Sequence, residues 1–204
     1  MLPVRKRVLL GLLSLLLISF RNGRFTVPVL LSHHAYVNIV DRNDWTPLHF
    51  ASWHAHPKVA QLLLEYGADV NSKTKFGVTP LRLLSEKNGN LEVAQLLLDH
   101  GADPNSRTRS GCDSLYMALE RGDLDLISLL IKRGGDPSSQ DVDGKALLHV
   151  ASQLGDLKVV QGLLDLGVDI NLLNSQGQTP LQVALQKGNE QVVQLLSQYA
   201  AKGM

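Results

Sequence analysis

The sequence predicts an all-α solenoid, built from helix-turn-helix units joined by β-hairpin loops and stacked in a row. Three observations carry this. An opening motif returns on a fixed beat: TPLHFA at Thr46, TPLRLL at Thr79, DSLYMA at Asp113, ALLHVA at Ala146 and TPLQVA at Thr179, in steps of 33, 34, 33 and 33 residues. A closing motif keeps time with it, as GADVN from Gly67, GADPN from Gly101, GGDPS from Gly134 and GVDIN from Gly167. Leucine-rich runs lie between the two, while aromatics make up only 5% of the chain, which favours a helical core over a β-sandwich. One such unit cannot bury its own apolar faces, so neighbours must cover them.

Each element has a local reason. Thr46, Thr79 and Thr179 are good N-caps for the first helix, and Asp113 is another; Ala146 lacks a cap side chain, at a cost of about 1 kcal/mol. The proline after each threonine takes the first helical position, where a missing N–H costs nothing. Leu48, Leu81, Leu115, Leu148 and Leu181 repeat as core-facing residues, and Ala51, Ala118, Ala151 and Ala184 let a second helix come close. A polar turn follows: His54-Ala55-His56, Arg121-Gly122-Asp123, Leu154-Gly155-Asp156, Lys187-Gly188-Asn189. The second helix is apolar at Val59, Leu62, Leu63 and their equivalents. Gly67, Gly101, Gly134 and Gly167 end it with positive φ. Asp69, Asp103, Asp136 and Asp169 then hold turns by side-chain bonds to backbone amides.

These motifs resemble the ankyrin-repeat family from about residue 40 onward. The resemblance implies a segment 1–40 containing a degenerate first repeat, followed by a domain 41–204 of five repeats, at about 43–72, 76–106, 110–139, 143–172 and 176–204. The unit from Thr79 departs from the others, with one extra residue near Lys87–Asn90 and Leu84 in place of alanine. A longer interhelix turn and looser packing are expected there. The unit from Gly134 has lost the alanine of its neighbours.

The last unit carries Gln182, Gln186, Lys187, Asn189, Gln191, Gln194 and Gln198, the polar face of a terminal cap. Residues 19–38 read as the back of a worn repeat, one residue short and interrupted by Pro28. Before them, Arg5-Lys6-Arg7 precede the apolar run Val8 to Phe20. Three readings stay open for this stretch: a degenerate capping helix, a secretory or anchoring signal, or another targeting sequence. The run is short for a membrane span, which needs about 20 residues. The chain as a fragment of a longer repeat protein is a further reading.

The formal charge of +1 supplies no global field toward nucleic acid or membrane, and the single cysteine, Cys112, excludes an internal disulfide. The stretch TPLHFASWHAH holds His49, His54 and His56. His49 shares its repeat position with His149, and the resemblance gives that histidine a bracing role between loops. His54 and His56 lie two apart in a turn and lack both helical spacing and cysteine partners, so no metal site is expected. There is no phosphate loop, dinucleotide fingerprint or nucleophile elbow, and nothing indicates a base for Cys112. Catalytic residues, metal and cofactor are all expected to be none.

Surface remains. In relatives, the resemblance implies, a concave face of first helices and hairpin tips binds partner proteins. Phe50, Leu83, Met117, Val150 and Val183 share one first-helix position, and Trp53, Glu86, Glu120, Gln153 and Gln186 another. Trp53 is a candidate anchor, since aromatic side chains carry disproportionate binding energy, or else core against the degenerate unit. Arg42, Lys75 and Arg109 occupy equivalent hairpin places, and Lys73 and Arg107 lie two residues earlier in theirs. With units about 10 Å apart these form a basic edge suited to an acidic or phosphorylated segment, or a merely solvated face. The expected function is a non-enzymatic adaptor or regulatory scaffold, monomeric, cytoplasmic or nuclear, binding a protein and no nucleic acid through Phe50, Trp53, Arg42, Lys73, Lys75, Arg107 and Arg109. The alternative is a secreted or membrane-anchored effector directed by the N-terminal segment.

Overall fold

The computed structural model describes residues 37–86, 90–109, 111–141 and 143–202. The N-terminal readings for residues 1–36 and the expected long turn at 87–89 lie outside the described residues. The chain forms two compact units, divided between Thr108 and Arg109. The first unit contains α1 (Pro47–Trp53), α2 (Pro57–Glu65), α3 (Pro80–Glu86) and α4 (Leu91–Asp99). The second contains α5 (Ser114–Glu120), α6 (Leu124–Lys132), α7 (Leu147–Leu154), α8 (Leu157–Asp165), α9 (Pro180–Lys187) and α10 (Glu190–Lys202).

Each unit is a stack of helix pairs. In the first unit α1 packs on α2 and α3, and α4 on α2 and α3. In the second, α7 sits between α5 and α9, and each of the three packs on the helix that follows it. The recurring leucines fill these contacts: Leu48, Leu63, Leu81, Leu84 and Leu97 are buried in the first unit, and Leu115, Leu130, Leu148 and Leu163 in the second. Fully burying one leucine contributes about 2 kcal/mol. Exposed ion pairs such as Lys145–Asp143 at 3.8 Å contribute well under about 1 kcal/mol, so leucine packing rather than charge holds the stacks.

The helix ends obey the sequence. Thr46 and Thr179 accept the amides of His49 and Gln182, with a proline at the first helical position of each, and Asp113 accepts that of Tyr116. Asn90, Asp123 and Asp156 cap second helices in the same way. At the other end Gly67 has φ +83, which lets its amide reach Leu64 O at 3.0 Å and that of Ala68 reach Leu63 O at 2.9 Å. This double bond closes the last turn of α2, and Gly101, Gly134 and Gly167 repeat it.

The loops depart from the expected β-hairpins. Among the described residues no strand forms. The tips that begin at Asp41, Thr74, Asp141 and Asn174 are instead five-residue loops whose first amide bonds the last carbonyl, as Asp41 N to Trp45 O at 3.1 Å and Thr74 N to Val78 O at 3.0 Å. The reason lies in the first side chain of each loop. Asp41 Oδ1 takes the amides of Asn43 and Trp45, Asp141 Oδ1 those of Asp143 and Lys145, and Asn174 Oδ1 those of Gln176 and Gln178. Amides bound to a side chain are withdrawn from a strand ladder.

Behind the tips, asparagine side chains tie successive repeats together. Asn71 Nδ2 donates to Gly101 O at 2.9 Å, and its Oδ1 accepts Asp103 N at 2.8 Å; Asn38 makes the same pair with Gly67 and Asp69. Asn71→Ala removes both bonds, but the groups released are exposed and take water. The expected loss is about 1 kcal/mol, seen as a lower urea midpoint with unchanged slope; an unchanged midpoint shows the tie to be idle.

Candidate functional site

His49 is fully buried. Its Nδ1 accepts Thr46 N–H at 3.1 Å and lies 2.8 Å from Thr46 Oγ1, while Nε2 lies 3.0 Å from Val78 O. A carbonyl only accepts and an amide N–H only donates. These partners therefore assign a neutral ring with its proton on Nε2. Burial pushes the imidazole below its ordinary pKa, against the Val78 bond and the charge of Asp41, which pull upward. The ring braces the start of α1 against the next tip. His149 does the same between Ala146 N, at 3.2 Å, and Gln178 O, at 2.9 Å. It thereby makes the half of a capping box that needs no side chain at Ala146, the bond from the Ala146 amide to the third helical residue.

His54 and His56 stack at 5.9 Å in the turn between α1 and α2. Among the described residues no group of three or more His, Cys, Asp or Glu side chains is placed to hold a metal ion. Cys112 is half-buried in the loop before α5. Asp69, Asp103, Asp136 and Asp169 each accept the amide two residues on, holding turns.

The surface column read through Phe50 needs correction. Leu83, Val150 and Val183 are buried, on first helices that pack against the first helices of neighbouring repeats. Phe50 and Met117 are half-buried. Phe50 packs against Trp45, a residue the repeat pattern passed over. The Trp45 ring lies 4.9 Å from Phe50 and 6.1 Å from Trp53, edge-on to the latter. All three are half-buried, so one edge of the cluster meets solvent.

A signal for Trp45 does exist. In three repeats the residue before the N-cap meets the residue eight places on, at the end of the first helix. Two of these pairs, in the second unit, are polar: Lys145 Nζ to Gln153 Oε1 at 3.0 Å, and Gln178 Nε2 to Gln186 Oε1 at 3.3 Å. In the first repeat both partners are tryptophan, and these are the two tryptophans of the chain.

Of the cations, Arg42 shares the first tip with Trp45, and Lys75 lies on the tip bonded to it. Arg42, Lys73, Lys75 and Arg107 are exposed; Arg109, also exposed, opens the second unit. The Lys75 amide donates to Asn43 O at 3.1 Å and its ammonium to Arg42 O, so these two tips run side by side. Lys75 thus has a scaffold role beside its charge.

Two ankyrin-repeat family profiles match the chain, one of three copies over residues 11–74 and 115–203 and one of many copies over residues 84–131. The chain belongs to the ankyrin-repeat family, whose repeats are protein–protein interaction modules. It is 50% identical over 50 residues to the Ankyrin repeat and LEM domain-containing protein 1 homolog of Caenorhabditis elegans, covering 24% of this chain and 7% of that one. It is 36% identical over 55 residues to mouse Ankyrin repeat and MYND domain-containing protein 1, covering 27% of this chain and 6% of that one. It is 33% identical over 78 residues to Palmitoyltransferase AKR1 of Saccharomyces cerevisiae, covering 38% and 10%. The chain thus spans a tenth or less of these relatives. Among the described residues no helix is long and apolar enough to cross a membrane.

Proposed function

We propose that the chain is a non-enzymatic adaptor or regulatory scaffold. It binds a protein partner through the first helices and loop tips of its first unit. One observation carries the reading: the half-buried cluster of Trp45, Phe50 and Trp53 stands where the second unit has polar pairs. Two other repeats close those positions with a lysine and glutamines, so the repeat itself does not call for aromatic rings there. Aromatic side chains lose little rotamer freedom on binding and present large contact area, which suits them as anchors. The tips are ordered beforehand by their own side-chain-to-amide bonds, so little entropy is lost when a partner arrives. Arg42, Lys73, Lys75 and Arg107 rim the cluster in this reading, and Arg109 belongs to the second unit's own surface. The half-buried thiol of Cys112 fits a reducing compartment, cytoplasmic or nuclear.

The test is capture from cell extract on the immobilised chain, with Trp53→Ala and Lys73→Glu columns alongside. Proteins held by the wild type are expected to be lost from the Trp53→Ala column and depleted on the Lys73→Glu column. Equal recovery on all three columns removes this surface from the reading.

A further inference from the structure

We infer that the surface around Trp45 and Trp53 takes an acidic peptide segment carrying a large apolar side chain. This rests on the protein-interaction reading above and adds the chemistry of the partner.

The argument begins with the direction of charges at the first unit's tips. Arg42, Lys73 and Lys75 are exposed on two tips that run side by side. The acids of the same loops are engaged with their own backbone. Asp41 spends one carboxylate oxygen on the amides of Asn43 and Trp45, and Asp69 spends one on Asn71. Amide donors stabilise and disperse carboxylate charge, so these acids answer the backbone before they answer a neighbouring cation. Asp44, the other acid of the first tip, is half-buried. Among the described residues, no carboxylate pairs with Arg42, Lys73 or Lys75, whereas Arg82 pairs with Glu86 and Lys145 with Asp143. The charges of Arg42, Lys73 and Lys75 are therefore left for a partner's carboxylates. The tip that follows Arg109 carries Asp141 and Asp143, so this sign is not common to every repeat.

The second half of the argument is apolar. The edge of the Trp45–Phe50–Trp53 cluster meets solvent, and Phe76, on the same tip as Lys75, is 63% exposed. An apolar centre with a charged rim is the anatomy of a protein interface. The rings accept an aliphatic or aromatic anchor, and the rim speeds encounter with a segment of opposite charge.

The test is selection from a random library of twelve-residue displayed peptides on the full chain, run in parallel on Trp53→Ala and on Arg42→Glu/Lys73→Glu. Lys75 is left in place because its ammonium bonds to the Arg42 carbonyl, and circular dichroism checks that both variants fold. Enriched peptides are expected to carry net negative charge and at least one Leu, Ile or Phe. A selected peptide, made synthetically, shifts the tryptophan fluorescence, which arises wholly from this surface. Its affinity falls about tenfold in the double charge variant and several-fold between about 50 and about 300 mM salt. Enriched peptides that are neutral or basic yet still need Trp53 overturn the acidic assignment and leave the surface reading standing. Peptides that bind every variant equally, or no enrichment at all, overturn both. An oligothymidine of similar length that shifts the same fluorescence at lower concentration also overturns the acidic peptide.

Discussion

Replacing His49 with leucine is expected to lower the stability of the first unit by about 2 kcal/mol at neutral pH. Leucine fills a comparable volume, so packing is not the main loss. The loss is polar: the buried Thr46 N–H is left without its ring acceptor, at about 1–3 kcal/mol, while Val78 C=O loses one bond and keeps the Thr74 amide. Both tryptophans of the chain lie in this unit, so urea unfolding followed by their fluorescence reports on it directly.

The same substitution carries a pH signature. Burial holds the folded imidazole below its unfolded value of 6.5. Between the two values the unfolded chain binds more protons than the folded one, so stability rises with pH across that window. The contribution of His49 is fully present above 6.5, and it is lost as pH falls toward the folded value. It changes no further below that value, and its slope is at most about 1.4 kcal/mol per pH unit. The geometry agrees, because a proton on Nδ1 would face the Thr46 N–H. Leucine has no such titration, so the gap between wild type and variant is expected to narrow from pH 7.5 to pH 5. Parallel pH profiles for the two proteins would show that the ring is not the neutral brace described here.

A gain of about 2 kcal/mol is expected from repairing the turn between α1 and α2. Three equivalent turns use glycine at positive φ: Gly122 at 66°, Gly155 at 75° and Gly188 at 71°. The first repeat puts Ala55 there at 52°. A Cβ in the left-handed region costs about 1–2 kcal/mol, part of which glycine gives back as unfolded-state entropy. The next position holds His56, whose side chain makes no cap bond, where Asp123 and Asp156 cap α6 and α8. A good cap side chain contributes about 1 kcal/mol. Ala55→Gly/His56→Asp is therefore expected to raise the urea midpoint, with each single change giving roughly half. The residues are adjacent, so the sum is approximate. A double variant no more stable than the wild type would mean that the alanine turn and the uncapped helix cost nothing.

Much of this was open to reading along the chain. The beat of Thr-Pro-Leu and Gly-Ala-Asp placed the helices because capping, proline position and glycine φ are local properties of a few adjacent residues. The recurrence of His49 at His149 marked it as scaffold, since a residue repeated in register serves what the repeats share, and the family resemblance gave its bracing role. Trp45 escaped because its partner lies eight residues away, and the pairing of loop with helix end shows only in the folded chain. The cations were legible as a row. That Lys75 also binds the Arg42 carbonyl, and that Asp41 and Asp69 spend carboxylate oxygens on their own loops, depends on side-chain direction, which spacing does not fix.

Sequence by itself determined the repeat, its family, the helix ends and the leucines that hold the stack, because each follows from periodicity and short-range stereochemistry. Tertiary structure alone decided that the loops close on their own side chains instead of forming strands, and that the chain divides between Thr108 and Arg109. It also brought two tryptophans and a phenylalanine together at one edge of the first unit. These outcomes turn on contacts between residues distant along the chain, whose geometry exists only once the units have packed.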